Sequence, residues 1–258
     1  MNETIELLRK RTSLRKYKNK EISKEDLNLL LEGAMRAPTA GNMMLYSILV
    51  VEDEEKKIKL SKSCDNQPFI AKAPLVLIFL ADLQRWFDYY NVSNVEEYCK
   101  ENNKDFETPD EGDFLLAVQD AMAAAQNLVI TAESLGIGSC YIGDIIEQYE
   151  VHKEMFNLPP WAAPISMLCL GYYDEESDRT IKPRFDSKYI TFKDTYKRLS
   201  DEELKDMFRE REKSFNSKNI YNAKNYGQLI YGRKTGADFS KEMSRSAKEI
   251  LKRWVQGN

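Results

Sequence analysis

Hydrophobic and polar residues along the first half of the chain follow helical and strand-like patterns in turn. "ISKEDLNLLLEGAM" begins with Ser23 and then Asp26, a helix-start signal, and its leucines recur at helical spacing. Pro38 ends this helix in the small-residue turn "PTAGN". "YSILVVED" predicts a strand, "EEKKIKLSKSC" a short polar helix, and "PLVLIFLAD" a strand that is apolar on both faces, as in a covered sheet.

A long apolar segment dominates the middle of the chain. Residues 113–135, "DFLLAVQDAMAAAQNLVITAESL", predict a helix of about six turns that is apolar almost all round. A monomer of this size has few places to bury such a helix, so we expect it at a subunit interface. "IGSCYIGD" then predicts a strand or loop that closes onto a site, and "PISMLCLGYY" predicts a further strand. This order of elements predicts a mixed α+β layer fold.

Two segments depart from these patterns. Residues 84–109 are polar and aromatic without a clear period, which is compatible with a substrate lid or with a packed insertion. From Asp201 the chain consists of charged helical segments around a middle that contains Gly and Asn. We therefore expect a core formed by residues 1–200 and a C-terminal helical extension, residues 201–258, without a core of its own.

Composition limits the class of protein. Apolar residues make up 42% and charged residues 31% of the 258, which is typical of a soluble globular protein. The longest apolar run has nine residues, fewer than the roughly 20 that span a membrane, so we expect no membrane association. The N-terminus shows no secretory signal, and the four cysteines form no CxxC pair. These features predict a cytoplasmic protein with reduced thiols.

Charge and histidine content narrow the chemistry. The basic stretch "RTSLRKYKNK" could be a solvated face, an arm for a polyanion, or a site for one small anion, and the net charge of −4 argues against nucleic acid. His152, the only histidine, lies in a charged helical stretch where we expect it to be exposed. A histidine-based triad or a histidine metal site would have to be built on this one residue. We therefore expect no chemistry that needs an imidazole base, and a cofactor that carries its own chemistry is favoured.

Two pairs of cations suggest an anion site. Arg11, Ser13 and Arg15 alternate, so their side chains point to one side of an extended segment. Two guanidinium groups and a hydroxyl suit a phosphate or an electron-rich ring edge. Lys182 and Arg184 flank a proline that presents both on one side. We interpret the lysines that follow Arg15 as surface charges.

Four motifs in order carry a family resemblance. "RTSLRKY", "RAPTAGN", "CYIG" and "KPR" resemble those of the FMN-dependent nitroreductase and NAD(P)H–flavin oxidoreductase family, most closely its larger, generally NADPH-using branch. The resemblance covers roughly residues 5–200. It implies a mixed β-sheet flanked by helices and a homodimer with FMN at the subunit interface. The helix at 113–135 would pack against the partner subunit, and the C-terminal extension would wrap it.

The resemblance also implies which residues bind FMN. Arg11, Lys182 and Arg184 would hold the phosphate, with Ser13 nearby. Arg15 would lie at the N1/O2 edge of the ring, where reduction places negative charge, and is the one catalytic residue implied. The residues around the ring would be Pro38, Thr39 and Asn42 from the partner subunit, Gln67 at the pyrimidine end, and Tyr141, Ile142 and Gly143 on the other face, with a backbone N–H reaching N5.

The implied activity is two-electron ping-pong transfer from NADPH or NADH to nitroaromatics, quinones or free flavin. Asp144 stands where similar proteins often have a second glycine. The residues after Ser214 match no known pattern, so the choice between the two nicotinamides stays open. The alternatives are a flavin-binding or redox-sensing protein with little turnover, another reaction on the same fold such as dehalogenation or flavin fragmentation, and a nucleic-acid-binding arm.

Overall fold

The chain forms two compact units. The computed structural model describes residues 2–174, 177 and 179–257. The first unit comprises Met1–Thr180 together with Glu242–Asn258, and the second comprises Ile181–Lys241. The predicted boundary at residue 200 thus falls inside the second unit, and the end of the predicted extension belongs to the first.

Helices and strands alternate along the first unit. Its helices are α1 (Glu3–Lys10), α2 (Lys24–Met35), α3 (Glu54–Ser63), α4 (Gln84–Val92), α5 (Val95–Glu101), α6 (Glu111–Ser134) and α7 (Tyr149–Met155), and its strands are β1 (Tyr46–Val51), β2 (Leu75–Asp82), β3 (Ile137–Ile142) and β4 (Ala162–Tyr172). The second unit contains α8 (Asp201–Lys213) and α9 (Tyr226–Ile230), and α10 (Asp238–Gln256) begins there and ends in the first unit. The predicted α+β class is confirmed.

The four strands form one antiparallel sheet in the order β1-β2-β4-β3. Every residue of β2 is buried, as its continuous apolar pattern predicted. One face of the sheet packs against α2 and α6, and the other packs against α3 and the segment after β3. Because β1 and β3 are the two edges, three strand spacings of about 4.8 Å separate them, or about 14 Å in all.

Helix α6 is buried on one side only. A stripe of alanines that includes Ala121, Ala124 and Ala125 is fully buried against the sheet and α2. Its other side leaves Leu115, Leu116 and Met122 at 58%, 43% and 38% exposure. The helix has the length and hydropathy of a membrane span, although 44% of its most apolar window is buried inside the protein. A single chain therefore covers half of the surface that the sequence predicted to be buried.

The last helix contributes to the core of the first unit. Trp254 on α10 is 1% exposed and packs edge-on against Phe114 of α6, with ring centroids 5.0 Å apart. Its carbonyl oxygen accepts a hydrogen bond of 3.0 Å from Trp161 Nε1. The extension was expected to have no core of its own, and its last helix packs into the core of the first unit. The wrapping of a partner by the extension remains a prediction.

The aromatic segment at 84–109 contains two helices, α4 and α5, that the sequence pattern did not predict. Phe87 is buried between Trp161 and Phe106, with ring centroids at 4.1 and 5.4 Å. The base of the segment is thus a packed insertion. Tyr89 and Tyr98 are exposed, and a lid role for this outer part stays open.

Candidate functional site

The basic N-terminal stretch lies in extended form beside the sheet. Leu14 N donates to Ser139 O at 2.9 Å, and Lys18 N donates to Tyr172 O at 3.0 Å. Close approach here depends on Gly138, because a Cβ at that position would lie 2.7 Å from Leu14 Cδ2. The sheet therefore holds this stretch in the conformation that the alternation predicted.

Arg11, Ser13 and Arg15 converge beside Cys140 of β3. Burial raises the pKa of the Cys140 thiol, while the charge of Arg15, a hydrogen bond with Ser13 and the charge of Arg11 lower it. Neither arginine has a carboxylate within ion-pair distance among the described residues. Two guanidinium groups without a paired anion and one hydroxyl form a suitable place for a phosphate or a ring edge.

Gln67 is connected to the end of β3. Its Nε2 donates to Cys64 O at 3.0 Å and to Asp144 Oδ2 at 2.7 Å. Asp144 belongs to a 3-10 turn, Gly143–Ile146, that directly follows β3. A Cβ on Gly143 would meet no atom within 4 Å, so the backbone there is open to a ligand.

Phe69, two residues after Gln67, completes this region. The Arg15 guanidinium carbon lies 5.8 Å from the centre of the Phe69 ring. The structure thus brings Arg11, Ser13, Arg15 and Gln67 to the end of β3, where Tyr141, Ile142 and Gly143 follow one another. The Ile142 side chain is buried in the core, on the other face of the strand from Tyr141.

The "PTAGN" turn is held by a buried carboxylate. Asp120 of α6 is 5% exposed and accepts hydrogen bonds from Thr39 Oγ1, from Ala40 N at 3.0 Å and from Leu45 N at 3.1 Å. Asn42 has a left-handed φ of 58° and is exposed. The sequence analysis missed Asp120. Its signal was present, because it is the only charged residue between 113 and 133 and a lone acid in an apolar helix needs donors.

Helix α4 holds the same turn from the other side. Arg85 Nη2 donates to Met44 O at 2.8 Å and to Tyr46 O at 2.9 Å. Trp86 Nε1 donates to Met43 O at 2.8 Å. The aromatic segment therefore has a structural role in shaping the backbone that follows Pro38, Thr39 and Asn42.

The two sets of site residues lie far apart in one chain. The turn precedes β1, at one edge of the sheet, and the arginine set borders β3, at the other. Tyr46 of β1 pairs with a residue of β2 that in turn pairs with Ala163 of β4. Cys140 of β3 pairs with Cys169 of β4, six residues further along that strand. Six residues of strand add about 20 Å along the sheet. One chain therefore does not bring both sets together.

Lys182 and Arg184 belong to the second unit. They lie in a segment without helix or strand, and both residues are exposed. Their contribution to the phosphate site therefore remains a prediction from the resemblance. Lys16, Lys18 and Lys20 are exposed, in agreement with the interpretation as surface charges.

His152 is fully buried, so the expectation that it is exposed was wrong. Its Nδ1 lies 2.8 Å from Ile145 O and its Nε2 lies 2.7 Å from Ser63 Oγ. A neutral ring that donates from Nδ1 and accepts at Nε2 satisfies both partners. Burial lowers the pKa of His152, and the hydrogen bond to Ile145 partly offsets this. The ring links α7 to the end of α3 and does not face a ligand.

The buried imidazole predicts a pH-dependent stability. The folded-state pKa of His152 lies below its unfolded value of about 6.5, so only the unfolded chain takes up a proton just below that pH. We expect the free energy of unfolding to fall by up to about 1.4 kcal/mol per pH unit below pH 6.5, relative to His152→Gln. Urea unfolding of both proteins between pH 5.5 and 7.5 measures this difference. Parallel curves for the two proteins would contradict the assignment.

The chain is similar to proteins of known sequence and structure. Residues 8–172 match the sequence model described as the nitroreductase family. The chain is 32% identical to a Bacillus subtilis protein named FMN reductase (NADPH) over 196 residues, which is 76% of this chain and 75% of that protein. It is 29% identical to a Staphylococcus epidermidis NADPH-dependent oxidoreductase over 254 residues, 93% and 96% of the two chains. The structure of Bacillus megaterium NfrA2 superposes with a TM-score of 0.78 at 26% identity, covering 99% and 98%.

Proposed function

Because this chain belongs to the nitroreductase family, we propose that it is an FMN-dependent NAD(P)H oxidoreductase that reduces nitroaromatics, quinones or free flavin by two-electron ping-pong transfer. The observation that carries the proposal is the convergence of Arg11, Ser13 and Arg15 beside Cys140, with Gln67 connected to the end of β3. The names of the relatives, an FMN reductase (NADPH) and an NADPH-dependent oxidoreductase, support the cofactor and the donor.

The residues of the site fit a flavin mononucleotide. Arg11 and Ser13 offer a guanidinium and a hydroxyl to the phosphate, and Arg11 has no paired carboxylate among the described residues. Lys182 and Arg184 would add two further cations. The open backbone at Gly143 leaves room for a flat ring, because no side chain fills the space beside it.

FMN, when bound, supplies the redox chemistry by taking hydride from NAD(P)H and passing two electrons to an acceptor. Arg15 places a permanent positive charge beside the ring edge and stabilises the negative charge that develops there. The Gly143 backbone offers an N–H donor at the end of β3. His152 is fully buried, so the proton that an acceptor needs does not come from the only imidazole of the chain.

Absorbance and steady-state kinetics test the proposal. We expect purified protein to be yellow and to bind about one FMN per subunit. It should oxidise NADPH or NADH when a quinone or a nitroaromatic is present as the electron acceptor. A colourless protein that takes up no added FMN would contradict it. Bound FMN with negligible turnover on every acceptor would favour the flavin-binding or redox-sensing alternative.

The proposal includes a homodimer with one set of ring contacts from each subunit. Its support is the separation of the two sets within one chain and the exposed leucines and methionine of α6. Exposed apolar surface on a helix that otherwise forms the core is typical of an interface between subunits. A second copy would cover this surface and complete the site at the same time.

A charge on α6 is therefore expected to separate the subunits. Met122→Arg should raise the dimer dissociation constant by about a hundredfold, because an unpaired charge buried in an interface costs on the order of 3 kcal/mol. FMN affinity should fall in parallel, since half of the ring contacts would leave with the partner. Light scattering and flavin titration measure the two effects. Val92→Arg, at a 79% exposed position on α4, is the matched control and should change neither.

We also place the enzyme in the cytoplasm. Cys64, Cys99, Cys140 and Cys169 are all buried and free, which suits a reducing compartment. Fractionation of the producing cells tests this location. Recovery of the protein outside the soluble cytoplasmic fraction would contradict it.

A further inference from the structure

Two carboxyl groups meet beside Gln67. Asp144 follows Gly143 in the 3-10 turn after β3, and Glu147 ends the same turn. Asp144 Oδ2 accepts from Gln67 Nε2 at 2.7 Å, and Glu147 N donates to Asp144 O at 3.0 Å. Glu147 is only 4% exposed, and within the described part of the chain its buried Oε1 has no hydrogen-bond partner.

The unpartnered oxygen shows which protonation state fits this place. An ionised carboxylate accepts hydrogen bonds and donates none, so an ionised Glu147 would be buried without a donor. A protonated Glu147 donates to Asp144 and satisfies both groups. Burial and then the charge and hydrogen bond of Asp144 raise the pKa of Glu147 to about 8. Glu147 therefore holds its proton at neutral pH.

The other titratable groups around Glu147 act in the same direction. Asp65, next to the Gln67 loop, and Glu242 of α10 both add negative charge that favours the protonated form. Glu242 is itself paired with Arg245 at 2.9 Å, which reduces its effect. The nearby Cys64 thiol has a pKa raised well above its usual range, mainly by burial, and stays neutral.

Asp144 determines the orientation of the Gln67 amide. The Gln67 Nε2 donates to both Cys64 O and Asp144 Oδ2, which uses both amide hydrogens. The carbonyl oxygen Oε1 has no donor among the described residues and remains available as an acceptor. The pyrimidine end of a flavin carries one N–H between two carbonyl oxygens, so an acceptor selects the N–H and a flipped amide would not.

We propose that Asp144, supported by a hydrogen bond from Glu147, is the positioning residue that fixes Gln67 with its carbonyl oxygen toward the flavin. This inference rests on the proposed function. The backbone before Gln67 cannot easily move to restore the amide orientation, because Ser63 is hydrogen-bonded to His152 and accepts from Gln148 Nε2 at 3.4 Å. Above pH 8 Glu147 would lose its proton and with it the hydrogen bond to Asp144, and the Gln67 amide would lose its orientation.

FMN titration of the whole protein between pH 7 and 9 tests the positioning role. We expect wild-type affinity to be level near pH 7 and to fall above pH 8 by up to about tenfold in all, because only the protonated form keeps the Gln67 orientation. Glu147→Gln keeps a neutral donor to Asp144. It should bind FMN within about twofold of wild type at pH 7 and lose the fall above pH 8. Glu52→Gln, an exposed acid, is the control and should follow the wild-type profile.

Removal of Asp144 is the second arm. Asp144→Ala should weaken FMN binding about tenfold across the whole pH range, since the amide is no longer fixed. Glu147→Gln with a wild-type pH profile, or Asp144→Ala with wild-type affinity, would overturn the inference. If the wild-type protein binds no FMN at any pH, the proposed function itself fails. If it binds FMN with an affinity that does not change with pH, only the present inference fails.

A measurement without FMN guards against variants that fold poorly. The folded-state pKa of Glu147, about 8, lies above its unfolded value of about 4.3, so the contribution of Glu147 to stability is lost as pH rises through that window. We expect the urea midpoint of wild type, relative to Glu147→Gln, to decrease between pH 5 and 8. Equal midpoint shifts in both proteins would show that Glu147 holds no such proton and would overturn the pairing.

Discussion

Asp120→Ala is expected to lower the free energy of unfolding by about 3 to 5 kcal/mol, because three donors lose a buried, charged acceptor at once. Thr39 Oγ1, Ala40 N and Leu45 N would be left without their partner in a place that water does not reach freely. The turn that carries Asn42 would loosen. FMN affinity should therefore fall further than it does in a variant that is equally destabilised by a substitution elsewhere. Urea unfolding and flavin titration measure both effects.

Two further variants define the cause of that loss. Asp120→Asn keeps the shape and one acceptor but places an amide N–H₂ against a donor, so we expect an intermediate destabilisation. Glu101→Ala removes an exposed acid from a different helix, α5, and should alter stability by less than about 0.5 kcal/mol. An Asp120→Ala protein as stable as wild type would show that the hydrogen bonds of the turn are dispensable.

Arg11→Ala and Arg15→Ala are expected to separate binding from chemistry. Arg11→Ala should weaken FMN binding by about a hundredfold, since a charge-assisted contact to a phosphate is worth roughly 2 to 3 kcal/mol. Arg15→Ala should slow reduction of the bound flavin by NAD(P)H much more than it weakens FMN binding, because its charge matters most when the ring becomes negative. Fluorescence titration measures affinity, and stopped-flow absorbance measures reduction.

Lys18→Ala is the matched control for both arginines. It removes a cation from the same extended stretch, but Lys18 is exposed and lies beyond the converging groups. Its affinity and reduction rate should be those of wild type. If Arg15→Ala simply loses FMN, the role assigned to Arg15 is wrong, and if Lys18→Ala weakens FMN binding as much as Arg11→Ala, the site depends on general positive charge rather than on one contact.

The fold was predictable where local pattern and tertiary packing agree. β2 is buried on both faces, as its uninterrupted apolar run indicated, and Ser23 caps α2 by accepting from Asp26 N at 3.0 Å. The resemblance to the nitroreductase family and the implied fold are confirmed. α4 and α5 were missed because their residues have no clear apolar stripe, and their helices are held by contacts such as those of Phe87 with distant aromatic rings.

The site was partly predictable because part of it is local. The alternation of Arg11, Ser13 and Arg15 is a property of five consecutive residues, and the sheet preserves it. His152 was misjudged because α7 has only seven residues, too few to show which side is buried, and its partners Ser63 and Ile145 come from other segments. Glu147 gave no local signal either, since its unusual environment depends on Asp144 and on elements distant in sequence.

The position of the two residue sets at opposite edges of the sheet has a genetic consequence. Suppose that each site takes one set from each subunit, and that one allele alters Arg11 while a second allele alters Asn42. A mixed dimer then carries one doubly damaged site and one intact site. With random pairing, about a quarter of all sites would be intact when two inactive alleles are expressed together. Two defective genes would thus restore partial activity in one cell.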